Sequence, residues 1–317
     1  MKQLFALTIF CFSLLNLNAQ EAKTPKPVVP DSLKLWKKGG VGNINLNQVS
    51  LTNWAGGGQS SVSGGAMLNM FANYKKDKVT WDNTLDLAYG LIQQGDGPVV
   101  KTDDRIELNS KYGRKASKKW YYSGLVSFRS QFAPGYADPK AATLVRISDL
   151  FSPAYVMASI GMDYKPNKKF TALISPITNK TTIVLDQTLA NAGAFGVTAA
   201  EYDDLGVLTS EGQNVRFEAG AFIKAAYKTD IMKNVNFQTK IDLFANYIDN
   251  PGNIDINWET LLAMKVNKYI TTSISTHLIY DDDIKVGVDT DGDDIIDAQR
   301  VRTQFKQVLA VGFSYKF

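Results

Sequence analysis

The sequence predicts an all-β protein, a single antiparallel transmembrane β-barrel of about twelve strands with short turns at one end and long loops at the other. Three observations predict it. Apolar and polar residues alternate along long segments, the period of a strand. The links between those segments alternate in length. The chain then closes on an aromatic strand in which Phe313, Tyr315 and Phe317 share one face.

The composition fits this class and excludes others. The chain has 317 residues and a formal charge of +4. No basic tract concentrates that charge, so nucleic acid is not an expected partner. One Cys and one His exclude a disulfide framework and multi-His or Cys-rich metal sites. No apolar run is long enough for a transmembrane helix.

Along the chain, residues 1–19 read as a signal peptide cleaved near Ala19: Lys2 starts it, residues 4–15 are its apolar stretch, and Cys11 falls inside it. Residues 20–40 carry Pro25, Pro27 and Pro30 and lysines, a periplasmic linker with too little apolar material for a core. The barrel is expected over 41–317. Its segments run near 41–53, 60–75, 78–92, 103–115, 118–133, 153–165, 168–178, 212–228, 233–248, 253–266, 268–282 and 300–317. The first is weakened by Gln48 and Val49, the seventh by Pro176.

The faces are distinct. In the ninth segment Val235, Phe237, Ile241, Leu243 and Tyr247 oppose Asn236, Gln238, Lys240, Asp242 and Asn246. Lysine-rich links near 75–78, 115–119, 165–169, 228–233 and 267–268 are short. Most links between them are long. Short turns face the periplasm and long loops face outward in outer-membrane barrels, and an even strand number puts both chain ends beside the periplasmic linker. Aromatic residues near segment ends, among them Trp81, Trp120, Tyr164, Tyr247 and Tyr315, suit two interfacial girdles.

The inward face is charged. It includes Asp82, Asp86, Arg105, Glu107, Lys111, Arg129, Asp163, Arg216, Glu218, Lys224, Lys240, Asp242, Asp255, Glu259, Lys265, Arg302 and Lys306. Mixed signs favour a self-paired polar interior; the other reading is a narrow solute path. His277 is the lone candidate for a catalytic pair, but it shares the inward parity of Ser273 and Ser275 and reads as a hydrogen-bonded lumen residue.

Three loops stand out. Asp289, Asp291, Asp293 and Asp297 alternate around Gly292, oxygen ligands spaced for one Ca2+, or else a solvated acidic loop. This stretch resembles thrombospondin type 3 repeats and EF-hand loops, but Asp294 replaces a usual glycine. Asn53-Trp54-Ala55-Gly56-Gly57-Gly58 reads as a structural turn. Residues 178–212 are too long for a bare connection. Weak helical spacing over 186–194 and the apolar Ile183, Val184, Leu185, Phe195 and Val197 suggest a cap or a constriction.

Several stretches resemble the family called domain of unknown function 3078. They are Gln48-Val49-Ser50-Leu51-Thr52-Asn53-Trp54-Ala55-Gly56-Gly57-Gly58, Lys101-Thr102-Asp103-Asp104-Arg105, Gln131-Phe132-Ala133-Pro134-Gly135-Tyr136 and Met162-Asp163-Tyr164-Lys165-Pro166-Asn167. Ile183-Val184-Leu185-Asp186-Gln187, Gly193-Ala194-Phe195-Gly196-Val197, Val266-Asn267-Lys268-Tyr269-Ile270 and Ile279-Tyr280-Asp281-Asp282-Asp283 add to it. The resemblance implies an outer-membrane protein of Gram-negative bacteria and supplies no activity. The expected function is non-enzymatic: a barrel embedded in outer-membrane lipids and acting as scaffold or subunit with other envelope proteins. The alternative is a narrow porin-like diffusion channel gated by residues 178–212. No cofactor is expected beyond Ca2+ in the 289–297 loop.

Overall fold

The structure, a computed structural model, describes residues 35–51, 59–139, 141, 143–288 and 298–317. Among these residues twelve long strands close into an antiparallel barrel. In chain order they are β1 (Trp36–Val49), β2 (Ser61–Lys76), β3 (Val79–Gln94), β4 (Val100–Lys115), β5 (Trp120–Ser130), β8 (Ala154–Tyr164), β9 (Phe170–Ile183), β12 (Val215–Met232), β13 (Val235–Asn246), β14 (Asp255–Lys265), β15 (Ile270–Tyr280) and β18 (Gln304–Lys316). Each pairs with its sequence neighbours in the wall, and β1 meets β18 to close it. Three small hairpins sit in the long loops: β6 (Gly135–Tyr136) with β7 (Arg146–Ser148), β10 (Glu201–Tyr202) with β11 (Leu208–Ser210), and β16 (Lys285–Val288) with β17 (Ala298–Val301).

The short turns follow local chemistry. Asp77 and Asn234 adopt positive φ in the tight turns after β2 and β12, a conformation their short polar side chains tolerate. Asn167 and Asn267 each accept two backbone N–H bonds in the turns before β9 and β15. These Asx turns fix the chain reversal at the water boundary.

Two strand boundaries differ most from expectation. β1 begins at Trp36, five residues before Val41, because 36–40 pair with β2 as an ordinary ladder. β9 runs on to Ile183 through Pro176, which sits in a bulge. Ser175 and Thr178 face Phe222 and Gly220, so two residues of β9 oppose Ala221 alone. A bulge accommodates a proline that has no N–H to give the ladder. On the other side of β9 the bulge faces Gly161, where a Cβ would run into the Ile174 carbonyl.

The outward face is apolar. Ile44, Leu46, Val126, Ile160, Ile177, Phe217, Leu309 and Phe313 are exposed there, as a wall in hydrocarbon requires. At the turn end the Trp36 ring lies 5.3 Å from Tyr74 and 5.8 Å from Trp81, and Trp120 lies 4.7 Å from Tyr164. At the loop end Tyr89 meets Phe132, and the Tyr247 hydroxyl donates to the Pro176 carbonyl freed by the bulge. Rings thus mark both edges of the apolar band.

Candidate functional site: the lumen

The inward side chains divide the lumen into two unlike halves. Along β5, β8, β9, β12 and β13 it is filled. Leu125, Leu173, Phe222 and Phe244 form a buried cluster with Met157 packed against it. Ion pairs surround the cluster in three groups. Near the turns, Lys111 and Lys165 hold Asp163 at 2.7 and 3.2 Å, and Lys165 also holds Asp82 at 3.0 Å. At mid-height Arg129 and Lys240 flank Glu107, Lys240 and Arg105 flank Glu259, and Lys224 holds Asp242 at 2.9 Å. Near the loops Lys180 faces Asp255, Asp281 and Glu218, and Arg216 faces Glu218, Asp249 and Asp283. Burying these charges requires such pairing.

Along β1, β2, β15 and β18 many inward residues are small or short: Asn45, Asn47, Ser63, Gly65, Ser273, Ser275 and Ala310. They leave a cavity of about 1630 Å3. Its lining reaches from Lys165, Lys168, Lys169 and Lys228 at the turn end to Lys101, Gln131 and Tyr136 at the loop end. Basic residues outnumber acidic ones in that lining.

The expected lumen residues separate accordingly. Asp82, Asp86, Arg105, Lys111, Arg129, Lys240, Glu259 and Lys306 line the cavity. Glu107, Arg216, Glu218, Lys224, Asp242 and Asp255 belong to the ion pairs of the filled half and do not line it. Lys265 keeps the inward parity but stands exposed at the turn end of β14. Arg302 is not an inward strand residue; it lies exposed in the link between β17 and β18. His277 lines the cavity as expected. The Asn257 amide donates to its Nε2 and accepts from Arg129 at 2.7 and 2.8 Å, in the orientation that satisfies both neighbours.

The long loop does not border this cavity. Residues 178–183 are strand, and no residue of 184–214 lines the cavity. The loop folds on itself instead. Val184, Leu189, Ala190 and Val197 form a second buried cluster, with Ala194 and Phe195 against it. Its helix α1 (Gln187–Asn191) is capped by Asp186, whose side chain accepts from the Leu189 N–H. That bond, with the Arg146 guanidinium at 2.7 Å, holds the Asp186 carboxyl below the usual aspartate range. Residues of the β5–β8 link, among them Ala133, Pro134, Tyr136 and Ser148, border the loop end of the cavity with Val99 and Lys101.

The candidate calcium ligands Asp289, Asp291, Asp293 and Asp297, and residues 52–58 with Asn53 and Trp54, lie outside the described residues, as do residues 1–34. Among the described residues one acidic group gathers: Asp255, Asp281 and Asp282 place carboxylate oxygens within 4.8 Å of one another. Lys180 already neutralises two of them, and Asn250 and Asn253 donate to the third.

Charge alone did not separate the two halves, since charged residues stand in both. The signal for the cavity was the row of inward Asn, Ser, Gly and Ala on neighbouring strands, which fill less of a barrel than Leu and Phe do.

No curated protein matches the chain. Among solved structures, the translocator domain of autotransporter NalP from Neisseria meningitidis is 9% identical over 88% of this chain and 87% of that one, with a TM-score of 0.39. The COG4313 outer membrane channel from Pseudomonas putida F1 is 11% identical over 92% and 100%, TM-score 0.39. The NanC porin is 8% identical over 87% and 98%, TM-score 0.37. Residues 46–136 match the model of the family described as protein of unknown function (DUF3078), so the resemblance read at 48–58, 101–105 and 131–136 is to that family, across β1 to β6.

Proposed function

We propose that this barrel is an outer-membrane conduit for small neutral or anionic solutes. The observation that carries the reading is the cavity on the β1–β4 side, whose lining includes residues at both ends of the barrel. Twelve strands leave less room than the sixteen or so of a wide porin, and half of this lumen is occupied, so the path is narrow. The apolar outer band supports the membrane location and the lysines at the turn end support the sign. Replacing Ser63 and Ser275 by Trp tests it. These residues line the cavity from opposite sides of the seam strands. The expected outcome is loss of swelling of protein-containing vesicles in arabinose with the folded barrel intact; unchanged swelling refutes the conduit.

The scaffold reading keeps one observation in its favour. The β10–β11 hairpin presents Tyr202, Leu205, Val207 and Leu208 to solvent, with Leu205 89% exposed. Exposed apolar groups on a loop suit an envelope partner. Leu205→Asp with Val207→Asp is expected to abolish stoichiometric co-purification of such a partner from the native membrane and to leave vesicle swelling unchanged.

A further inference from the structure

The wall has one weak seam. β1 and β18 are joined by five residue pairs, from Val41 with Lys316 to Asn45 with Gly312, and by Gly40 with Phe317 just beyond. Every other neighbouring pair in the wall shares ten or more. Both strands continue past the seam in full order: β1 stays paired with β2 to Val49, and β18 with β15 from Gln304. They part only from each other, on the loop side of Asn45 and Gly312.

The cavity reaches this parting. Asn45 and Asn47 on one edge and Lys306, Val308 and Ala310 on the other border it from within. Leu309 borders it too, although it has outward parity and is 66% exposed. The outer rim is apolar, with Leu46 on β1 and Phe305 and Val311 on β18. Unpaired backbone groups facing hydrocarbon cost several kcal/mol each, so an open edge at membrane depth persists where it borders a water-filled cavity.

We propose that this opening is a lateral portal through which an amphipathic molecule with a neutral or anionic head passes between the lumen and the bilayer. The head stays with Asn45, Asn47 and Lys306 while the apolar tail moves past Leu46 and Leu309. The proposal rests on the conduit reading and adds a second exit to it.

The test uses the barrel in lipid vesicles. The chain's one cysteine, Cys11, is first replaced by Ser, so new cysteines report alone. Ala310→Cys at the portal and Gln238→Cys across the lumen are each labelled with bimane. Aqueous iodide is expected to quench both labels. Phospholipids brominated along their acyl chains are expected to quench the label at 310 and not that at 238. Iodide quenching of both with no brominated-lipid quenching at 310 overturns the portal and leaves the conduit standing. No iodide quenching at either position overturns the conduit beneath it.

A second variant removes the dependence on the label. Continuing the seam register sets Asn47 opposite Ala310, so Asn47→Cys with Ala310→Cys can bridge the edges on oxidation. The bridge is expected to reduce transfer of pyrenedecanoate into the bilayer to the rate of protein-free vesicles, to leave swelling in arabinose intact, and to be reversed by reductant. Equal transfer before and after oxidation overturns the proposal.

Discussion

Lys180 shows how single residues hold the filled half together. It is nearly buried and faces Asp255, Asp281 and Glu218. Lys180→Met leaves three close carboxylates without their common cation. The expected loss is roughly 3–5 kcal/mol of stability, read as a lower denaturation midpoint in detergent. Gly161 matters for a different reason. Gly161→Val places side-chain atoms where the bulge of β9 brings backbone, so loss of the heat-resistant folded form on gels is expected, at the severe end for one substitution. Asp186 sets a pH dependence. Its folded carboxyl titrates below the unfolded value of about 3.9, so its contribution is present above that value and is lost as pH falls through the lower folded one. Hydrogen exchange in residues 184–214 is expected to rise over that acidic window and not between pH 5 and 8. Asp186→Ala is expected to raise it at neutral pH, with roughly 0.5–2 kcal/mol lost at the helix cap.

At the scale of elements, the strands were legible and the long loops were not. Alternation located every barrel strand, because a half-buried strand must repeat every two residues. It misjudged β9, where Pro176 looked like an end. The bulge that absorbs it depends on Gly161 in the neighbouring β8, and sequence order alone does not pair that residue with it. The 184–214 loop showed its helix and its apolar residues. What covers Val184 and Val197 is their cluster with Leu189 and Ala190, brought together by the fold of the loop, while Leu185 stays exposed. No residue of 184–214 lines the cavity. Deleting residues 200–211, which carry the β10–β11 hairpin, is therefore expected to leave vesicle swelling unchanged.

For the whole molecule, the sign of the cavity makes the sharpest prediction. In a salt gradient the conduit is expected to prefer chloride to potassium, read as the sign of the reversal potential. Lys168→Glu, Lys169→Glu and Lys228→Glu together are expected to reverse it, because these lysines line the turn end. The sequence by itself determined the barrel, its twelve strands, the face each strand turns to lipid, and the charge of its interior. Those follow from local period and turn chemistry, which each segment carries on its own. Only the tertiary structure decided that the lumen is filled on one side and open on the other. It also decided that β1 and β18 part above Asn45. Both depend on which inward residues meet across the barrel, as Leu173 meets Phe222 and as Asn47 does not meet Ala310. Those meetings are set by closure and register, quantities that no single segment holds.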